Sequence, residues 1–99
     1  MIHVIAIITT KSHRRSAVLE LFKANLPAVR AEEGCIEYGP VIDVDGADPA
    51  FGPDTFVVVE KWESMTALKA HAVAPHMAAY AAKTRDLIAK RAVHVLMPA

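Results

Sequence analysis

The run Ile2-His3-Val4-Ile5-Ala6-Ile7-Ile8 places apolar side chains on both faces of any strand it forms: Ile2, Val4, Ala6 and Ile8 point one way, Ile5 and Ile7 the other. Phe56-Val57-Val58-Val59 repeats the pattern, and Val93-His94-Val95-Leu96 comes close to it. A sheet with one face in water alternates apolar and polar residues. These strands do not, so both faces of their sheet need a cover. Broad bare apolar patches are uncommon on soluble monomers. The helical segments of the sequence can cover one face only, so the second cover is expected to be another copy of the chain, in a homodimer or a larger symmetric assembly.

The elements follow in a recognisable order. Ile2 to Thr9 reads as a strand. Ser12 is placed to cap a helix running from about Arg14 to Glu32, with Val18, Leu21, Phe22, Leu26 and Val29 as its apolar stripe. Pro27 inside that pattern is expected to kink it, because proline lacks the backbone donor, and Gly34 suits the C-terminal end. Cys35 to Val44 reads as a second strand, and the turn-rich segment Asp45 to Asp54 as a long hairpin loop. Thr55 to Trp62 is the third strand. Ser64 caps a short helix, Pro75 restarts it, and helix continues in pieces to about Ala89. Ala92 to Met97 completes the set as a fourth strand. The order β-α-β-β-α-β describes an α+β, ferredoxin-like fold, a four-stranded antiparallel sheet with helices on one face. With 99 residues, the whole of 1–99 is expected to be a single domain.

Charge and composition exclude several function classes. Lys plus Arg and Asp plus Glu balance at 11 each, so the chain has no net field to gather nucleic acid or an anionic membrane. The RNA-recognition motif shares the element order, but it needs a basic face and aromatics on the central strands, where this chain has Val57-Val58-Val59. The first apolar run is too short to span a bilayer, and no basic segment precedes it, so a cytoplasmic location is expected. The single Cys35 fits a reducing compartment. It reads as a small buried hydrophobe rather than a nucleophile. No metal site is expected, because His71 and His76 are five apart, where a helical ligand pair needs four. No glycine-rich phosphate loop is present.

The chemistry gathers at one junction. Glu60-Lys61-Trp62-Glu63-Ser64, then His71, then Pro75-His76-Met77-Ala78-Ala79-Tyr80 hold the only tryptophan, two of the five histidines and one of the two tyrosines. His76 and Tyr80 are four apart on one helix and share a face. Phe56, Val58, Glu60 and Trp62 share one strand face, which sets a carboxylate beside the indole. Tyr38 lies on the expected neighbouring strand, and Asn25 falls on the first helix's apolar stripe, seven residues from Val18, as a buried polar group with a partner, a pocket hydrogen bonder or a residue at the stripe's edge. Each of these can serve the core alone; together they describe a pocket. His3, His13 and His94 carry no pattern.

Glu32-Glu33-Gly34-Cys35 with Tyr38 beyond it, Glu60-x-Trp62-Glu63-Ser64, Leu68-x-Ala70-His71 and Pro75-His76-Met77-x-Ala79-Tyr80 resemble the antibiotic biosynthesis monooxygenase family, most of all its small bacterial quinol monooxygenase branch. The resemblance implies a dimeric ferredoxin-like α/β barrel that oxygenates a quinol or phenolic aromatic substrate with O2 and uses no metal, flavin or haem. Haem-degrading members use an asparagine, a tryptophan and a histidine. Here Trp62 matches, Tyr80 stands at the histidine position and the first strand has no asparagine, which argues against haem. An isomerase of a phosphorylated signalling sugar shares the proline-histidine element and is the rival enzymatic reading. A non-catalytic dimeric ligand-binding domain is the rival outside enzymes. Under the monooxygenase reading, His71 or His76 is the base, Trp62 and Tyr38 wall a flat ring, and Tyr80 or Asn25 donates to an oxygenated intermediate. Glu60, Phe56 and Met77 complete the expected substrate-binding set.

Overall fold

The computed structural model describes all 99 residues. Strand β1 (Ile2–Thr10) leads to helix α1 (Arg15–Arg30), then β2 (Cys35–Val41), β3 (Thr55–Trp62), α2 (Met65–Ala72), α3 (Pro75–Thr84), a 3₁₀ turn (Arg85–Leu87) and β4 (Ile88–Leu96). The strands form one antiparallel sheet in the order β2-β3-β1-β4, the ferredoxin-like α+β arrangement expected from the element order. No helix is long and apolar enough to cross a membrane.

The two faces separate as the side-chain period of two requires. Val4, Ala6 and Ile8 of β1, Phe56, Val58 and Trp62 of β3, and Tyr38 of β2 are buried together under Val18, Phe22 and Val29 of α1. Leu68 of α2 and Met77 and Tyr80 of α3 pack against the same cluster. The opposite face has no helix. Ile5, Ile7 and Val59 are half-buried there by their neighbours in the sheet, while Val41 and Leu96 are about half exposed. The edge strand β4 also overhangs the helices: Val93 and Val95 share the helix-side face of β1's Ala6 and Val4, yet are 45% and 49% exposed.

Local structure departs from the sequence expectations at several boundaries. Ser12 does not cap α1. Arg14 occupies the N-cap without a side-chain bond, and the turn before it is held by the backbone N–H of His13 donating to Asp54 Oδ1 at 3.0 Å. The helix ends at Arg30 rather than Glu32 and runs through Pro27, whose carbonyl accepts from the Ala31 N–H. Proline removes one donor in the last turn, where exposed neighbours leave the freed carbonyl to water. Strand β2 stops at Val41, so the loop begins at 42. Asp43 folds it back by accepting from the backbone N–H of Phe51 at 3.0 Å and of Gly52 at 2.9 Å. Those bonds hold its carboxyl below the usual range. Ser64 caps α2 through the Ala67 N–H, and Pro75 opens α3, both as expected. Strand β4 starts at Ile88, four residues before the expected Ala92. Lys90 and Arg91 mask a strand in the sequence, and an exposed edge tolerates them.

Candidate active site

Gly34 makes the site possible. It closes the turn after α1 with φ +81°, a conformation that costs other residues strain. A Cβ there would lie 2.6 Å from the Ala67 Cβ, so α2 packs directly on this turn. The Glu63 N–H donates to the Gly34 carbonyl at 2.8 Å and locks the approach. The turn after α1 that carries Glu32 is thereby brought against α2 and the start of α3. His71 Nδ1 lies 2.9 Å and His76 Nε2 2.8 Å from the same oxygen, Glu32 Oε2. A carboxylate only accepts, so both nitrogens carry their protons. His71 Nε2 makes no hydrogen bond to any protein group. His71 is 6% exposed, tilted over Trp62 with ring centroids 4.6 Å apart, and edge-on to Tyr38 at 5.3 Å.

Between the sheet and the helices lies a pocket of about 520 Å³, within the usual size of small-molecule sites. Its lining is mostly apolar. Among the residues expected from sequence, His71, Tyr38, Tyr80, Glu60 and Met77 line it. Four others do not. Trp62 is not a wall: it is fully buried behind His71 and donates its indole N–H to Glu60 Oε1 at 2.9 Å. Phe56 belongs to the core, edge-on to Phe22. His76 bonds Glu32 without lining the cavity, and Asn25 Nδ2 reaches Met77 Sδ at 3.5 Å instead of the cavity. No group of three or more His, Cys, Asp or Glu side chains is arranged to hold a metal ion.

The structure adds residues that sequence reasoning missed. Glu32 was separated from its histidines by 39 and 44 residues, and only the family resemblance touched it. Phe22 was read as stripe alone; it stacks on Tyr38 with centroids 5.5 Å apart and lines the pocket. Arg85 and Arg91 also line it. Starting the fourth strand four residues earlier would have put Arg91 on the pocket face.

Burial sets the protonation of the site. It pushes the Tyr80 hydroxyl up to about 12, against the opposing charge of Arg91, and pushes Tyr38 higher still. Both stay protonated donors at neutral pH. Burial also raises the Glu60 carboxyl above 4.5, opposed by the Trp62 hydrogen bond and by His71. The folded chain therefore holds the Glu60 proton more tightly than the unfolded chain, and stability falls as pH rises from 4.5 through the raised value. Glu60→Gln keeps an acceptor for the indole and should remove that part of the slope. Urea unfolding of both proteins at stepped pH across this window checks it, and an unchanged slope in the variant refutes the assignment. Cys35 is half-buried and its thiol is likewise raised by burial, which makes it a poor nucleophile.

A ferredoxin-like sheet roofed by helices over an apolar pocket, with a histidine held by a carboxylate at one end, defines a domain built to take a small molecule out of water. The comparisons with known proteins make the assignment specific. The model of the antibiotic biosynthesis monooxygenase family matches residues 1–83. The chain is 37% identical to the Escherichia coli K12 protein named "Probable quinol monooxygenase YgiN", over 99% of this chain and 98% of that one. Among solved structures it is similar to Rv0793 from Mycobacterium tuberculosis, at 32% identity and a TM-score of 0.82, covering 99% of this chain and 94% of that one. PA3566 from Pseudomonas aeruginosa shares the fold, with a TM-score of 0.84 at 22% identity over 99% of this chain and 93% of that one. The chain belongs to the antibiotic biosynthesis monooxygenase family.

Proposed function

We propose that this monooxygenase oxidises a quinol or electron-rich phenol with O2 and without metal, flavin or haem, using His71 as the base. One observation carries the reading: His71 lines an apolar pocket while Glu32 holds its Nδ1 and no protein group bonds its Nε2. A hydroquinone becomes a strong enough reductant for O2 once it is deprotonated, so the protein has to bind it, take a proton and exclude water. His71 Nε2 accepts the phenolic proton, and the Glu32 carboxylate stabilises the imidazolium that forms, as a carboxylate does behind a catalytic histidine. The quinolate then supplies the electrons. One oxygen atom bonds to the ring; the other takes protons from the imidazolium and the ring and leaves as water, giving a hydroxyquinone. In this reading Tyr80, which lines the pocket, donates to the developing peroxide. The family membership and the quinol in the name of the E. coli relative support the same substrate class.

Oxygen uptake by chelator-treated protein mixed with 1,4-naphthohydroquinone under air tests the proposal. Uptake well above the protein-free rate, with a hydroxyquinone as product, is the expected result. A rate equal to background, or activity that needs added metal, refutes it.

The proposal includes a homodimer in which the uncovered sheet face meets its copy. Light scattering should then give a mass of at least twice 10.7 kDa at micromolar concentration. Val59→Asp, which puts a charge on that face, should dissociate or unfold the protein, since an unpaired charge is not tolerated in an apolar interface. A monomeric wild type overturns this part.

A further inference from the structure

The polar groups of the pocket lie at two ends. Glu60 pairs across the sheet with Val4, and Arg91 pairs with Ile8, on the same face. The two rows are four residues apart, about 13 Å along the strands, and β3 and β4 lie on opposite sides of β1. His71 stands at the Glu60 end, against Tyr38 and Trp62. Arg85 from the 3₁₀ turn and Arg91 from β4 both line the pocket at the other end.

These two guanidinium groups are free. The ion pairs of the structure involve Lys61, His71 and His76 only. Arg15 and Arg30 are spent on backbone carbonyls, but Arg85 and Arg91 bond to no protein group. Two unpaired cations beside an apolar cavity repel each other and gain from a shared anion. The planar fork of arginine fits a carboxylate in particular. Glu60 feels the Arg91 charge but makes no ion pair with it, and its carboxylate accepts instead from the Trp62 indole.

We propose that Arg85 and Arg91 form a carboxylate-binding rim, so that the substrate is an aromatic acid whose reacting hydroxyl and carboxylate lie at opposite ends of the ring system. The inference rests on the phenolic reading of the same pocket and adds its polarity: the acid anchors at the arginine end and presents the hydroxyl to His71. A two-ring aromatic acid matches that span. A substrate with adjacent hydroxyl and acid groups cannot reach both ends.

Calorimetry with three naphthols that bind without having to turn over tests this. The probes are 6-hydroxy-2-naphthoate, with its groups at opposite ends, 3-hydroxy-2-naphthoate, with its groups adjacent, and neutral 2-naphthol. The first should bind about tenfold more tightly than the other two, the usual worth of a charge-assisted contact at a partly exposed site. Arg85→Gln and Arg91→Gln should each reduce that advantage, and the double variant should erase it, with 2-naphthol binding unchanged. Both arginines are exposed, so the variants should melt near wild type. Equal binding of the three probes, no binding of any, or equal weakening of 2-naphthol in the variants overturns the rim. Because turnover is not measured, a preference for 6-hydroxy-2-naphthoate stands even if oxygen uptake fails. Equal binding with oxygen uptake intact removes the rim alone.

Discussion

His71→Ala should lower quinol turnover by about 10² to 10⁴-fold, the usual worth of general-base catalysis. His76→Ala should lower it by less than about tenfold on the same argument, because Glu32 keeps its bond to the ring that faces the pocket. The sequence alone treats the two histidines as equals; the shared oxygen of Glu32 separates them. His71 is buried against Trp62, so its removal also leaves a void. His71→Gln fills much of that void and can still donate to Glu32, but it is no base. It should be as inactive as the alanine variant while melting closer to wild type. Glu32→Gln removes the charge behind the imidazolium and should also slow turnover. Steady-state oxygen uptake, with thermal melts of each variant, gives the comparison. Wild-type turnover in His71→Gln, or equal losses in His71→Ala and His76→Ala, contradicts the role given to His71.

Trp62→Ala should destabilise the fold by about 3–5 kcal/mol, the range for removing a fully buried large aromatic side chain. That is a large part of the roughly 5–15 kcal/mol by which small domains are stable, so the midpoint of unfolding should fall well below that of the wild type. The indole supports both the floor under His71 and the Glu60 carboxylate, to which it donates at 2.9 Å. Trp62→Phe keeps most of the packing but leaves a buried carboxylate oxygen without its donor, at a cost of about 1–3 kcal/mol. Since Trp62 does not line the cavity, the phenylalanine variant should bind a naphthol nearly as well as wild type at low temperature, where it remains folded. Urea unfolding with calorimetry on the same samples separates the two effects. A large affinity loss in fully folded Trp62→Phe places the indole in contact with substrate, and little loss of stability in Trp62→Ala contradicts its place in the core.

Much of the site was legible because strand and helix periods are local. Phe56, Val58, Glu60 and Trp62 share a face by alternation alone, and the structure buries all four. What alternation does not carry is depth. Phe56 and Trp62 stay in the core, whereas Val58 and Glu60 between them reach the cavity. The difference comes from what stands above each residue: His71 covers Trp62, and Phe22 packs on Phe56. Asn25 illustrates the same limit. Its place on the stripe brings it to α3, where its amide reaches the Met77 sulfur rather than the cavity.

The sequence by itself determined the element order, the two apolar sheet faces, the caps at Ser64 and Pro75, and the junction where the chemistry gathers. Each follows from side-chain period or backbone propensity within a few residues. Only the tertiary structure decided that Glu32 holds both histidines, that His71 rather than His76 faces the cavity, and that Arg85 and Arg91 stand unpaired at its other end. These are meetings of residues far apart in the chain. They are set by how closely α2 can approach the turn at Gly34 and by the register of β4 against β1. Close packing and sheet register are properties of the assembled fold, and no local window of sequence contains them.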